Sequence, residues 1–289
     1  MSYANPHLLI EPEDLAARLG DPELRVYDAT VFLVPAATGY RAESGLTRYR
    51  EQHVPGAAFF DHLGAFSDRS SGLGFTLPAP DQLAAAMGAA GIGPEHQVVL
   101  YASGHAMWAT RAFWLLRYAG HDQVRVLNGG LKGWLATGSA TASGDEAYPP
   151  ARFTARPRPT MFVDKAAVQA AMADGGVCTV NALSPEVYAG TGDMHYGRRG
   201  HIPGSRNLHY DQLMDGQRFR PADDLRAALT DAGMLDAPRV ITYCGGGISA
   251  TIDAFACLLC GRDDVAVYDG SMSEWVRDES LPLKTGAAP

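Results

Sequence analysis

The chain has 289 residues, of which 46% are apolar, so it is long enough to bury a large core and to divide into two domains. A formal net charge of -8 argues against a protein that neutralises nucleic-acid phosphates over a broad face, and we expect no nucleic-acid partner. The sequence contains neither an export signal nor a run of about 18 apolar residues, so we expect no contact with a membrane.

In the first half of the chain, helical and strand-like patterns alternate, which favours a parallel sheet covered by helices. In chain order the sequence predicts a helix over residues 13–19, a buried strand over 24–29, a Pro-Gly turn at 53–57, a helix over 82–90, a strand over 98–101 and a helix over 109–118. The motif Asn128-Gly129-Gly130 then precedes Trp134. This half therefore has the pattern of an α/β domain.

The second half repeats this order of elements roughly 150 residues later, a spacing that indicates a duplicated domain rather than a solenoid of short repeats. It predicts a helix over residues 165–173, a strand over 177–182, a turn at 201–205, a helix over 225–232, a strand over 240–243 and a helix from about residue 249. The sequence Asp269-Gly270-Ser271 then precedes Trp275. We predict two α/β domains in tandem, each a mainly parallel sheet flanked by helices.

The predicted boundary between the domains lies in a segment of different composition. Residues 139–160 are rich in Pro, Ala, Ser and Thr and have almost no apolar periodicity, which is typical of a connection. We predict a first domain at residues 1–145, a linker at 146–160 and a second domain at 161–289.

The four cysteines are too few for a disulfide framework, which favours free thiols and a cytoplasmic location. One of them, Cys244, directly follows a predicted strand and precedes three glycines. The first half has Ala102 at the equivalent place, so only the second half could carry thiol chemistry there.

The residues after Cys244 form a pattern that stabilises an anion. Glycines let a loop curl and turn successive N–H groups inward, and the helix that follows adds the positive end of its dipole. A thiolate is stabilised in such a place, which makes Cys244 a candidate nucleophile. The backbone of this candidate anion cradle belongs to Gly245, Gly246, Gly247, Ile248 and Ser249. The alternative, a free cysteine buried only for packing, fits three consecutive glycines less well.

The other cysteines and two histidines have structural interpretations. Cys257 and Cys260 lie in an apolar helical pattern without a second pair of ligands, which favours packing over zinc or redox chemistry, and Cys178 lies in a strand. His53 and His201 occupy the same turn motif in each half, so a structural role is favoured over that of a catalytic base.

Taken together and in order, six segments resemble the two-domain rhodanese-type sulfurtransferases, the group of thiosulfate and 3-mercaptopyruvate sulfurtransferases. The segments are Asp28-Ala29-Thr30 and residues 50–61, 128–134, 200–207, 244–249 and 269–275. The resemblance implies two rhodanese-like domains, of which the first is inactive and the second carries the catalytic Cys244. It implies that Cys244 takes sulfane sulfur from a small donor and passes it, as a persulfide, to cyanide, a thiol or a thioredoxin-like protein. It implies no metal and no organic cofactor.

The loop departs from the two patterns known in this family. The thiosulfate enzymes resemble C-R-K-G-V-T, whereas the loop here is C-G-G-G-I-S and lacks the basic side chains. The mercaptopyruvate enzymes resemble C-G-S-G-V-T, and Gly246 removes the hydroxyl of the third position. The loop is nearer to the second pattern, and the donor stays open between the two.

Two arginines of the family pattern are also absent, at Leu183 and Val187. We predict that Arg198 or Arg199 replaces them in binding the anionic group of the donor, by the bidentate geometry that arginine offers; Arg206 is a weaker candidate. The alternative is that Arg198 and Arg199 are solvated charges on a loop and do not bind the donor.

Other classes of protein fit less well. A cysteine phosphatase needs a longer loop that ends in arginine, and a P-loop needs Lys and Ser or Thr after the glycines. A sulfur-relay or binding module, loaded by a protein partner instead of a small donor, stays open because of the altered loop and the missing arginines.

Overall fold

A computed structural model describes residues 2–35 and 40–289 of the chain. The strands of the first half are β1 Leu9–Ile10, β2 Leu24–Asp28, β3 Val31–Pro35, β4 Tyr40–Ser44, β5 Ala58–Phe59, β6 Gln97–Tyr101 and β7 Val124–Leu127. Its helices are α1 Pro12–Ala16, α2 Leu46–Glu51, α3 Pro80–Ala89, α4 Met107–Tyr118 and α5 Gly130–Ala136.

The second half contains the same kinds of element. Its strands are β8 Phe162–Val163, β9 Val177–Asn181, β10 Arg206–Asn207, β11 Met214–Asp215, β12 Arg218–Phe219, β13 Arg239–Tyr243 and β14 Val265–Tyr268. Its helices are α6 Lys165–Ala171, α7 Pro185–Ala189, α8 Ala222–Asp231, α9 Ala250–Leu259 and α10 Ser271–Trp275.

Each half builds one five-stranded parallel sheet, and the two sheets have the same strand order. From one edge to the other, the order is β1, β7, β6, β2, β5 in the first half and β8, β14, β13, β9, β10 in the second. The central strands β6 and β13 are buried almost throughout because helices cover both faces, as their continuous apolar sequences require. The predicted tandem of two mainly parallel α/β sheets is confirmed.

The duplication extends to individual hydrogen bonds. The backbone N–H of Ala29 donates to the carbonyl of Tyr101 at 2.8 Å, and that of Ala182 donates to the carbonyl of Tyr243 at the same distance. Each tyrosine ends its central strand and accepts, on its hydroxyl, a backbone N–H from the Pro-Gly turn at 3.1 Å. The end of the central strand is therefore held in the same way in both halves.

The two halves share one hydrophobic core, in which α4 packs against α9. The rings of Phe113 and Phe255 meet edge to face with their centroids 4.8 Å apart, and the hydroxyls of Thr110 and Thr251 lie 2.7 Å apart. These are the helices that follow β6 and β13, and Thr110 and Thr251 lie near their N-termini, so the two loops compared in the sequence lie at the same end of this contact.

Most predicted elements lie within one to three residues of the observed ones. The helix predicted over residues 13–19 ends at Ala16 and continues as turns, and the helix predicted from residue 225 begins at Ala222, directly after Pro221. The sequence did not predict the antiparallel hairpin of β3 and β4, which pairs Val31 with Ser44 and lies outside both large sheets.

The connection between the halves carries little regular structure. Residues 137–158 contain neither a helix nor a strand, although Ala142 forms an isolated bridge to His53. The predicted domain bounds stay a prediction, since the strands of the two sheets define only the ranges 9–127 and 162–268. In the described part of the chain, no helix is long and apolar enough to cross a membrane.

Candidate active site

Cys244 is the first residue after β13, at the carboxyl end of the central strand, and its side chain is 2% exposed. Its backbone N–H donates to the Ser271 hydroxyl at 3.1 Å, and its carbonyl accepts the N–H of Met272 at 3.1 Å. Ser271 adopts a positive φ of 49°, which is unusual for a residue with a side chain, and its hydroxyl also donates to the Tyr268 carbonyl. The start of α10 therefore fixes the start of the loop.

The three glycines of the loop have different surroundings. Gly247 has a φ of 73°, and a Cβ there would come within 2.5 Å of the Asp269 carbonyl. A Cβ at Gly245 would overlap the phenol of Tyr196. A Cβ at Gly246 would meet only the Ser273 hydroxyl, at 3.9 Å. The backbone of this loop thus requires glycine at positions 245 and 247 but leaves space at 246.

The loop presents free donors beside the sulfur. Within the described residues, the backbone N–H groups of residues 245–249 donate to no protein acceptor. The N-terminus of α9, a ten-residue helix, begins directly after them at Ala250. Unpaired N–H groups and a helix N-terminus together favour an anion, so the loop can stabilise a thiolate or a persulfide on Cys244.

The equivalent loop of the first half is closed. Its Ser103 N–H donates to the Thr30 hydroxyl at 2.7 Å, and the Gln217 side chain, from the connection between β11 and β12, donates to the Ser103 carbonyl at 2.9 Å. Ala102 accepts the N–H of Leu131 at 3.1 Å, as Cys244 accepts that of Met272. The first half therefore keeps the backbone frame of the loop, lacks the sulfur and has its loop covered by the second half.

A cavity of about 580 Å³ opens onto Cys244. Its walls come from both halves, with the β3–β4 hairpin on one side and residues 194–197 on the other. The apolar and aromatic side chains in the wall include Leu33, Tyr40, Phe75, Trp108, Met194 and Tyr196. The catalytic candidate thus faces a space that only the two halves together can form.

Arg111, from α4 of the first half, supports the loop from behind. Its guanidinium donates to the Gly247 carbonyl at 3.2 Å and forms an ion pair with Asp269 at 2.7 Å, with the arginine side chain only 1% exposed. It also donates to the Phe75 carbonyl. Because all of these partners are protein atoms, Arg111 fixes the loop and does not present its charge to the cavity.

Tyr196 and Asp253 are among the acidic groups that interact electrostatically with Cys244. Burial, and to a lesser degree the charge of Cys244, raises the pKa of the Tyr196 phenol. The same two causes raise the pKa of Asp253, a wholly buried residue in the first turn of α9. Neither carboxyl oxygen of Asp253 accepts a hydrogen bond from another described residue. Both shifts favour the protonated form of the group.

The arginines predicted to bind the donor lie on the loop before the Pro-Gly turn, outside the cavity wall. Arg198 donates to the carbonyls of Asp278 and Leu281 at 3.1 and 3.0 Å, and Arg199 donates to the carbonyl of Gly192. Arg206 is exposed in the edge strand β10. None of the three is among the described residues that line the cavity, and their role in binding an anion stays a prediction.

The other residues considered in the sequence have structural surroundings. The rings of His53 and His201 stack on Tyr49 and Tyr188 and place Nδ1 2.8 Å from a backbone carbonyl, in buried positions. Cys257 and Cys260 are buried, Cys178 is half-buried, and all four cysteines are free. Among the described residues, no group of three or more His, Cys, Asp or Glu side chains could hold a metal ion.

Sequence reasoning missed three residues of the site. Tyr196 and Tyr40 are far from Cys244 in the chain, and no motif connects them with it. Arg111 carried a usable signal, since it is one of two arginines within the mainly apolar sequence Met107–Tyr118. A buried arginine needs partners, and two of the three, Gly247 and Asp269, lie in the other half.

Comparison with known proteins gives matches over nearly the whole chain. A family model described as Rhodanese-like domain matches residues 11–137 and again residues 165–278. A Pseudomonas aeruginosa protein named probable 3-mercaptopyruvate sulfurtransferase is 34% identical over 286 residues, which cover 96% of this chain and 98% of that protein. The thiosulfate sulfurtransferase of Mus musculus is 34% identical over 268 residues, with 91% and 88% covered. The crystal structure of the Escherichia coli 3-mercaptopyruvate sulfotransferase matches with a TM-score of 0.80 and 30% identity, covering 91% of this chain and 98% of that one.

Proposed function

Because the chain belongs to the rhodanese family, we propose that it is a sulfurtransferase in which Cys244 carries sulfane sulfur from a small donor to a thiophilic acceptor. The donors that the relatives suggest are 3-mercaptopyruvate and thiosulfate. The acceptors are cyanide, a thiol or a thioredoxin-like protein.

The reaction has two nucleophilic steps. The Cys244 thiolate attacks the transferable sulfur of the donor, which is a sulfane sulfur in thiosulfate and a thiol sulfur in 3-mercaptopyruvate. The bond that held this sulfur breaks with its electron pair on the leaving group. That group is sulfite from thiosulfate, or the enolate of pyruvate from 3-mercaptopyruvate, which then takes up the proton of the transferred sulfur. The acceptor next attacks the outer sulfur of the persulfide and restores the thiolate.

The observation that carries this proposal is the surroundings of the sulfur. Cys244 directly follows a central strand, the N–H groups of residues 245–249 donate to none of the residues that the structure describes, and a cavity opens onto the sulfur. Free N–H groups stabilise negative charge first on the thiolate and then on the persulfide, so the same loop serves both steps. The equivalent loop at Ala102 has neither the sulfur nor the free space.

The proposal also covers the cellular location of the protein and the kind of donor that supplies its sulfur. The four free cysteines fit a reducing compartment, and we place the protein in the cytoplasm. Relatives that bear enzyme names and match nearly the whole chain favour an enzyme with a small donor over a relay module loaded by a protein partner.

Removal of the sulfur atom tests the proposal. Cys244→Ala should reduce thiocyanate formation from cyanide, with either donor, to the uncatalysed rate. Cys178→Ala is the matched control, because Cys178 is a half-buried thiol in the same sheet and should leave the rate unchanged. Equal activity of Cys244→Ala and the wild-type protein would contradict the proposal.

A further inference from the structure

The position two residues after β2 and after β9 differs between the halves. β2 pairs with β6, and β9 pairs with β13, in the same register, with the last residue of one strand against the last of the other. Thr30 follows β2 and Leu183 follows β9 at the same distance. The Thr30 N–H donates to Asp28 Oδ1 at 2.9 Å, and the Leu183 N–H donates to Asn181 Oδ1 at 2.8 Å. Thr30 and Leu183 are therefore equivalent positions with different side chains.

Thr30 occupies a backbone donor of the inactive loop. Its hydroxyl accepts the N–H of Ser103, the residue after Ala102, at 2.7 Å, and donates in turn to the Asp28 carboxylate. Thr30 is wholly buried, so water does not compete for these bonds. The Ser103 N–H is thus not available to a group on residue 102.

Leu183 offers no acceptor at the same place. Gly245, the residue after Cys244, is the counterpart of Ser103. Its N–H donates to none of the residues that the structure describes, and the Leu183 side chain is a hydrocarbon that is only 9% exposed. The N–H of Cys244 itself is taken by the Ser271 hydroxyl. The Gly245 N–H is therefore the first free donor of the loop, and a charged sulfur can use it.

The surroundings of Leu183 already contain the other partners of a closed loop. Asn207 Nδ2, from β10, donates to the carbonyls of Leu183 at 2.8 Å and Asn181 at 3.0 Å, which holds this segment in place. In the first half, one Asp28 oxygen accepts both the N–H and the hydroxyl of Thr30. The Asn181 amide oxygen has two lone pairs, so it can accept a hydroxyl at position 183 besides the N–H that it accepts now. Only the hydroxyl is missing there.

We propose that Leu183 is a positioning residue of the sulfur-transfer site: because it has no hydroxyl, the Gly245 N–H stays free to stabilise negative charge on the Cys244 sulfur. This inference rests on the proposed function, since it concerns the same cysteine. It assigns the free donor to one side chain that follows β9. A hydroxyl at position 183 takes up the N–H and leaves the sulfur with one donor fewer.

A pair of isosteric variants tests the proposal. Leu183→Thr and Leu183→Val share the branched Cβ and nearly the same shape, so they differ in the hydroxyl. The readout is the rate at which iodoacetamide, an uncharged reagent, alkylates Cys244 at pH 7.5, measured from the mass of its peptide. A hydrogen bond to a charged group changes an equilibrium by about tenfold or more, and the lower nucleophilicity of a stabilised thiolate offsets part of this. We expect Leu183→Thr to react at least about threefold more slowly than Leu183→Val.

Sulfur loading should follow the same order. Single-turnover loading of Cys244 from 3-mercaptopyruvate and from thiosulfate should each be at least about threefold slower in Leu183→Thr than in Leu183→Val. Both donors should show the effect, because the Gly245 N–H acts on the cysteine sulfur that attacks them. Urea unfolding of the two variants establishes that they are equally folded.

Two further comparisons separate the hydroxyl from a change in packing. Leu183→Ser and Leu183→Ala repeat the comparison with smaller side chains, and the serine variant should be the slower of the two. If Leu183→Thr does not fold, this second pair decides by the same criterion. Thr30→Val exchanges hydroxyl for methyl at the equivalent position of the first half, where the hydroxyl contacts the other loop, and Cys244 in this variant should be alkylated at the wild-type rate.

The outcomes distinguish this inference from the proposed function. Equal rates within the folded pair, in a protein whose wild type accepts sulfur, would overturn the inference and leave the sulfurtransferase proposal intact. Slower alkylation in Thr30→Val would also overturn it, because the effect would not belong to the Cys244 loop. If neither donor places sulfur on Cys244 of the wild-type protein, the proposed function fails, and the inference fails with it.

Discussion

Tyr196 occupies the space beside Gly245 that a side chain at the second position of the loop would need. Its phenol contacts the glycine directly, and its pKa is raised by burial and by the nearby Cys244. The hydroxyl therefore stays protonated and can donate to a negatively charged sulfur or donor, as loop N–H groups do. The Tyr196 ring, which comes from a distant loop, thus fills the space that a side chain on residue 245 would otherwise occupy.

The three glycines yield a matched pair of substitutions. Gly245→Ser should destabilise the protein by about 1 to 3 kcal/mol, because its Cβ overlaps the Tyr196 ring. Gly246→Ser should change the free energy of unfolding by less than about 0.5 kcal/mol, because its Cβ meets only one atom, at 3.9 Å. Urea unfolding of both variants measures the difference. Equal stabilities would show that Tyr196 moves aside at no cost.

Asp253 is a buried carboxyl that accepts no hydrogen bond from any other residue in the described part of the chain, and its pKa is raised by burial. The folded protein then holds a proton that the unfolded chain releases above pH about 4, so wild-type stability decreases as the pH rises from there toward the folded pKa. Asp253→Asn has no such proton. Its gain in stability over the wild type should grow by about 1.4 kcal/mol per pH unit in this window.

Urea unfolding at pH 5.5 and pH 8 measures this dependence. Asp231→Asn, at the exposed end of α8, is the control and should differ from the wild type by the same amount at both pH values. A gain from Asp253→Asn that is independent of pH would mean that Asp253 is ionised in the folded protein.

At the scale of elements, the site depends on α4 of the first half as much as on α9 of the second. Arg111 reaches from α4 to Gly247 and Asp269, two residues that hold the loop and the start of α10. The hairpin of β3 and β4, also from the first half, supplies part of the cavity wall. The first half, which has Ala102 in place of the cysteine, thus forms a structural part of the active site.

The buried ion pair can be tested by a double-mutant cycle. Arg111→Met should destabilise the protein by about 3 to 5 kcal/mol, since it leaves the largely buried Asp269 with the Leu77 N–H but without its cationic partner. The double variant Arg111→Met/Asp269→Asn should lose less than the sum of the single variants. Arg117→Met, two turns further along α4, is the control: its pair with Asp122 is partly exposed and should cost less than about 1 kcal/mol. Additive losses would contradict the coupling across the two halves.

Elements formed by continuous apolar runs could be predicted from the sequence, whereas those defined by contacts could not. The central strands β2, β6, β9 and β13 are buried on both faces, so their composition alone marks them. The β3–β4 hairpin has a mixed pattern and no counterpart in the second half, and therefore gave no signal. The approach of Tyr196 to Gly245 depends on how two loops pack, which no local pattern encodes.

At the scale of the whole molecule, the halves share a core to which α4 and α9 both contribute, and buried or half-buried histidines are distributed through it and around it. Burial lowers the pKa of six of them: His62, His96, His105, His121, His201 and His209. For His62 the pKa falls to about 3, because burial of the ring outweighs the opposing effect of its hydrogen bond to the Trp108 carbonyl at 2.9 Å. These rings stay neutral in the folded protein.

A lowered histidine pKa makes the protein sensitive to acid. As the pH falls below about 6.5, the unfolded chain takes up protons that the folded protein does not, so stability present above that pH is lost progressively. For His62 the window runs from about 6.5 down to its folded pKa of about 3, at roughly 1.4 kcal/mol per pH unit. His62→Gln should therefore lose less stability between pH 7.5 and pH 5 than the wild type. His7→Gln, an exposed control, should follow the wild type. Identical pH dependence of all three proteins in urea unfolding would contradict burial of a neutral His62.

The most direct test of the central claim, that Cys244 carries sulfur, is the intact mass of the protein after incubation with 3-mercaptopyruvate or with thiosulfate. We predict a gain of one sulfur atom, roughly 32 Da, which maps to the peptide of Cys244 and disappears on treatment with cyanide. The gain should be absent in Cys244→Ala and present in Cys178→Ala. An unchanged mass with both donors, or sulfur mapped to another cysteine, would contradict the account.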